Sequence, residues 1–258
     1  MTRVAGVLAA ALAAATPALA QDVLVTTDWV SQNLEKSNVR ILEVSVDPGV
    51  YEKGHVQSAV GWKWHSELCD PVGRDIVGPE GFARLLARAG IANDTTVVLY
   101  GDNNNWFACW GYWIFSIYGH PRLKLMDGGR KKWELEKRPL DTTAPSYPQA
   151  RYEVQKRDLA LRARLADVLR VVEKKEPGGL VDVRSPDEFS GKVIAPPGIQ
   201  ELAIRAGHIP GARSVPWSRT VNEDGTFKPV EALRKLYAEA GVDGRQPVIT
   251  YCRIGERS

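Results

Sequence analysis

The chain has 258 residues, 44% of them hydrophobic and 25% charged. That is an ordinary globular composition, with room for one large domain or two modest ones. The formal net charge of +3 is too small to indicate a nucleic-acid partner, and no basic run is interleaved with aromatic residues; at most it favours small anions.

The first twenty residues, MTRVAGVLAAALAAATPALA, carry one early positive charge at Arg3, an Ala/Leu/Val run, and Ala18-Leu19-Ala20 before Gln21. This is the pattern of a secretory signal peptide cut after Ala20, which predicts a periplasmic or secreted protein. The run is short for a membrane span. No later segment offers eighteen uncharged apolar residues, so no membrane span is expected in the mature chain.

Beyond the leader, short apolar strands alternate with amphipathic helices. In chain order the expected elements are a helix over Thr27–Leu34, a strand over Val39–Val46 and a helix over Pro79–Ala89. A strand over Thr96–Tyr100, a helix over Asn105–Tyr118 and a strand over Leu123–Met126 follow. Then come a helix over Arg164–Glu173, a strand over Leu180–Val183, a helix over Pro229–Ala240 and a strand over Val248–Tyr251. Asp28 and Gly78-Pro79 mark helix starts, and Gly90 and Gly241 mark ends. Alternation of this kind predicts an α/β fold with mostly parallel sheets flanked by helices.

The order of motifs repeats. LEVSVDPGVYEKGHVQSAVGWKW in the first half matches VDVRSPDEFSGK and AGHIPGARSVPW in the second. GIANDTTVVLYG likewise matches GVDGRQPVITYC. His55 precedes Tyr100 by 45 positions, and His208 precedes Tyr251 by 43. Such spacing indicates duplication. The expected division is a first domain over 21–140, a Pro-containing linker over 141–160, and a second domain over 161–258. Measured against its sibling, the second half lacks roughly forty residues after Tyr251, so an incomplete, C-terminally truncated domain is expected.

Of the three cysteines, Cys109 lies in the apolar stretch WFACWGYWIF and reads as core. Cys69 precedes Asp70-Pro71; a Cys69–Cys109 bridge is left open. No C-x-x-C pair exists, so no zinc site is expected, and nothing calls for a cofactor. Cys252 is different. It follows a strand and begins a loop that continues Arg253-Ile254-Gly255-Glu256-Arg257-Ser258. Loop N–H groups at the carboxyl edge of a parallel sheet make an anion nest. Arg253 and Arg257 add positive charge, and Gly255 permits a sharp turn. Glu256 is expected to face solvent or a basic neighbour.

The segment C-R-I-G-E-R-S resembles the active loop of rhodaneses. L-V-D-V-R-S-P-D-E-F at 180–189, G-H-I-P-G-A at 207–212 and D-G-G-R-K-K-W at 127–133 are similar to other signatures of that family. The resemblance implies two tandem rhodanese-like domains, the first without the cysteine. It implies that Cys252 takes sulfur from thiosulfate as a persulfide and hands it to cyanide or a thiol. It also implies that Arg184 and Arg253 contact the donor. Arg257 joins them as a binding residue, and Asp182 and His208 organise the turn. A monomer is expected. The rival readings are a 3-mercaptopyruvate sulfurtransferase, a phosphatase, and a non-catalytic sulfur-binding or sensor protein. Four residues between Cys252 and Arg257 make a small nest, which weighs against the phosphatase.

Overall fold

A computed structural model describes residues 23–70, 72–73, 75–154, 157–198 and 203–258. The expected leader, Met1–Ala20, lies outside the described residues.

In the first half, β1 (Leu24–Val25), β2 (Val39–Glu43), β3 (Val60–Gly61), β4 (Thr96–Tyr100) and β5 (Leu123–Met126) form a parallel sheet in the order β1-β5-β4-β2-β3. Every residue of β2 is buried, as expected of a central strand covered on both faces. The covering helices are α1 (Thr27–Asn33), α2 (Val50–Lys53), α3 (Pro79–Arg88), α4 (Asp102–Ile117) and α5 (Gly129–Leu135). One face packs Phe82, Phe107, Trp110 and Phe115 against Leu42 and Leu99. The other packs Trp133, Val30 and Ile41 against Tyr100.

The second half adds α6 (Leu165–Val172), β6 (Gly179–Asp182), α7 (Pro186–Ser190), β7 (Arg213–Ser214), α8 (Val230–Glu239) and β8 (Val248–Tyr251). Its three strands are parallel in the order β7-β6-β8, the counterpart of β3-β2-β4. Register agrees too: Glu43 pairs with Tyr100, and Asp182 pairs with Tyr251. The second core is smaller, built on Val181, Val183, Val215 and Leu236.

Several sequence boundaries shift. The strand expected to reach Val46 ends at Glu43, because Val46 N–H and Asp47 N–H turn to donate to the Asp102 carboxylate. Thr26, not Asp28, caps α1: its hydroxyl accepts from Trp29 N–H at 3.1 Å, while Asp28 pairs with Arg138. The strand expected at Leu180–Val183 spans Gly179–Asp182. α4 begins early, but Asn103, Asn104 and Asn105 hold left-handed φ values of 44°, 55° and 63°. Asparagine is among the few residues that accept this conformation.

The two halves meet through the turn between Val221 and Phe227. Lys132 Nζ reaches Asp224 at 2.7 Å, and Phe227 N–H donates to Asp127 at 2.8 Å. Trp106 and Trp217, one from each half, stand with ring centroids 5.8 Å apart.

Candidate active site

Strand β8 delivers Cys252 to the carboxyl edge of the second sheet, directly after Tyr251. The chain then folds back over the sulfur. Gly255 N–H points at Cys252 Sγ from 3.1 Å and Arg257 N–H from 3.4 Å. Gly255 makes the turn at φ +89°, and a Cβ there would meet nothing within 4 Å. Glycine is therefore required by backbone conformation and not by crowding. Two amides aimed at one sulfur form a partial nest, suited to negative charge.

The arginines expected at the donor are each engaged by a carboxylate. Arg184 is buried and forks onto Asp182, with Nε–Oδ1 at 2.9 Å and Nη2–Oδ2 at 2.6 Å. Its Nη2 also donates to Gly207 O at 2.7 Å. This pairing holds the Arg184 guanidinium above its ordinary pKa, since Asp182 favours the charged form. Arg257 forks onto Glu188 at 3.2 and 3.0 Å. Arg253 Nη1 is 3.6 Å from the same carboxylate. Both side chains tuck beneath the loop, because a buried carboxylate draws them there. Arg253 Nε and Nη1 nevertheless have no hydrogen-bond partner.

Glu188 was missed by sequence reasoning. The Ser185-Pro186-Asp187-Glu188 pattern reads as a helix start, and it is one. Ser185 Oγ accepts from Glu188 N–H at 3.2 Å, and Ser185 N–H donates to the Glu188 carboxylate at 3.1 Å. The same carboxylate also binds the active loop. Burial pushes the Glu188 carboxyl upward, but Arg257 and Ser185 outweigh it and hold it below the ordinary value. Arg257 is raised in turn: burial opposes its charge, while Glu188 and the Cys252 sulfur outweigh that cost.

His208 stacks on Phe189 at 3.7 Å, with Nδ1 2.8 Å from Phe189 O. His55 does the same with Tyr51, at 3.9 and 2.9 Å. Neither ring faces Cys252 in these contacts.

Cys252 opens on a cavity of about 450 Å³ between the halves. Ile254, Gly255, Glu256 and Ser258 line it from the loop; Cys69, Trp110 and Trp113 line it from the first half. Glu256 thus borders the cavity, half-buried. Trp106 stands over Arg257, 5.8 Å from ring centroid to guanidinium. No disulfide joins Cys69, Cys109 or Cys252. Burial pushes the Cys109 thiol up to about 12, which leaves it inert. Among the described residues, no cluster of His, Cys, Asp and Glu could hold a metal ion, and no helix is long and apolar enough to cross a membrane.

A duplicated parallel α/β unit, with one strand end in the second copy presenting a cysteine under loop amides, makes Cys252 the candidate nucleophile. Comparison with known proteins agrees. The rhodanese-like domain matches twice, over residues 26–136 and 165–258, and the chain belongs to the rhodanese family. A Mycolicibacterium smegmatis protein named "Putative thiosulfate sulfurtransferase" is 53% identical over 238 residues, 92% of this chain and 85% of the relative. "Sulfur carrier protein TtuD" of Thermus thermophilus is 51% identical over 240 residues, 92% of this chain and 84% of the relative. Among solved structures, the Escherichia coli 3-mercaptopyruvate sulfurtransferase SseA superposes with a TM-score of 0.77 at 24% identity. That match covers 90% of this chain and 88% of SseA, and it speaks to the fold alone.

Proposed function

We propose that this protein is a thiosulfate sulfurtransferase that carries sulfur on Cys252. The observation behind this reading is the Cys252 sulfur under the Gly255 and Arg257 amides, at the mouth of a cavity. The thiolate attacks the outer sulfur of thiosulfate. The S–S bond of thiosulfate breaks, sulfite leaves with the bonding pair, and a cysteine persulfide remains. A nucleophile such as cyanide or a thiol then attacks the outer sulfur and the thiolate is restored. This is two-step covalent catalysis with ping-pong kinetics.

Thiosulfate is favoured over 3-mercaptopyruvate by charge. Arg253 retains two buried donors without hydrogen-bond partners beneath the loop that begins at Cys252, and one carboxylate faces two arginines there. A dianion is the better complement to that excess. The names of the relatives support the donor, and the name of the Thermus protein supports a protein that carries sulfur. The leader pattern over Met1–Ala20 supports export, to be checked by the N-terminal mass of the secreted protein.

The decisive experiment pairs thiosulfate:cyanide turnover with intact mass after thiosulfate treatment. Wild type gains one sulfur at Cys252, and Cys252→Ser gains none and falls to background. Turnover surviving that substitution, or more rapid turnover with 3-mercaptopyruvate than with thiosulfate, would overturn the assignment.

A further inference from the structure

The Glu188 carboxylate is wholly buried, yet it faces two guanidinium groups from a single loop. It meets Arg257 at 3.0 and 3.2 Å, Arg253 Nη1 at 3.6 Å, and both Ser185 N–H and Ser185 Oγ at 3.1 Å. We propose that Glu188 is a positioning residue for sulfur transfer: it anchors the arginines beneath the loop and so aims the loop amides at the Cys252 sulfur. The proposal rests on the sulfur-transfer reading above.

Two features carry it. First, anchor and donor belong to one residue. Arg257 is gripped by Glu188 through its side chain, and its own main-chain N–H points at Cys252 Sγ from 3.4 Å. Moving the guanidinium therefore moves an amide that faces the reacting atom. Second, the fold alone does not require the carboxylate. The stacked pairs Tyr51–His55 and Phe189–His208 align the two halves, and they place Val50 where Glu188 stands. The first half also lacks the arginine loop: after Tyr100 it reads Gly101-Asp102-Asn103. Carboxylate and arginines occur together in one half and are absent together from the other.

Charge sets the expected signature. Replacing the carboxylate by an amide leaves both guanidinium groups uncompensated near the sulfur. The positive charge of the loop stays, but the loop loses its anchor. The test follows single-turnover persulfide formation from thiosulfate, by intact mass, on the full chain. Alkylation of Cys252 by iodoacetamide is measured beside it. In Glu188→Gln, sulfur loading is expected to slow by about ten- to a hundred-fold, the scale of a small misplacement, while alkylation is no slower than wild type. Loading at the wild-type rate overturns the proposal, as does a proportional fall in loading and alkylation together. Should Glu188→Gln fail to fold, Glu188→Asp carries the test, because the shorter side chain cannot reach both arginines. Slower loading with unchanged alkylation is then the supporting result and wild-type loading the contrary one. A wild-type enzyme that takes up no sulfur at Cys252 defeats the functional reading itself. A wild type that loads beside a variant that loads equally defeats only the role of Glu188.

Discussion

The two halves solve one structural problem with arginines from different places. Each central strand ends in a buried acid, Glu43 or Asp182, beside a tyrosine whose oxygen accepts from the amide after the Gly-His turn. In the first half the acid is paired by Arg130, from α5, which also donates to Gly54 O at 2.6 Å. In the second half Arg184, two residues after the acid, makes the equivalent contacts to Asp182 and Gly207 O. The position that resembles a donor-contacting arginine thus fills the structural place that Arg130 fills in the sibling. The difference shows that one structural task, pairing the buried acid, can be met from two places in the chain.

The sharpest way to break that comparison is to remove each arginine. Arg130→Met leaves Glu43 buried and unpaired, and about 3–5 kcal/mol of stability should be lost. Arg184→Met should cost a similar amount in its own half. If Arg184→Met instead melts like wild type and only raises the KM for thiosulfate, Arg184 serves the donor after all. Denaturant unfolding and steady-state kinetics on both variants decide.

A cysteine placed at the strand end of the first half should not create a second sulfur site. Gly101 follows Tyr100 as Cys252 follows Tyr251, but a Cβ at Gly101 would stand 2.2 Å from Val44 O. Gly101→Cys is expected to cost about 1–3 kcal/mol through overpacking and to add no persulfide by mass. In the second half, Gly255→Ala should cost about 1–2 kcal/mol for its left-handed backbone and slow sulfur loading, since the amide facing Sγ shifts.

The pH dependence of the two buried glutamates should have opposite sign. Glu188 is held below the ordinary value, so its stabilisation is present above the unfolded pKa and fades as pH falls through the folded one. The stability deficit of Glu188→Gln relative to wild type should therefore shrink on acidification. Burial raises Glu43 despite Tyr100, Ser45 and Arg130, so the folded state prefers its proton. Its contribution falls as pH rises from the unfolded value through the folded one, and the deficit of Glu43→Gln should widen on acidification. Thermal melts at several pH values, each against wild type, read both slopes. Asp224→Asn, which removes the charge from the half-exposed contact to Lys132 and leaves an amide oxygen to accept from Thr226, should give the smallest change of all, and its ionic part should vanish at high salt.

Much of this was legible in the sequence because strand-end residues repeat in register. Glu43 with Asp182, Tyr100 with Tyr251 and His55 with His208 all occupy matching positions, and period and spacing report backbone placement. Partnerships across the chain were not legible. Arg130 lies 87 residues from Glu43, and nothing local ties them. Glu188 drew no attention in the sequence, where its local duty is to start α7; its second duty depends on a loop 69 residues later. The pairing of Arg253 and Arg257 was not legible for the same reason: spacing from Cys252 places their backbones, and a carboxylate from α7 engages their side chains.

Trp106 and Trp217 come from opposite halves of the duplication, with ring centroids 5.8 Å apart. Their proximity makes an optical gauge of the contact between the halves that needs no attached dye: separating the indoles would alter near-ultraviolet dichroism and emission. Swapping either indole for phenylalanine identifies its share of the spectrum, so the integrity of that contact can be read by light alone.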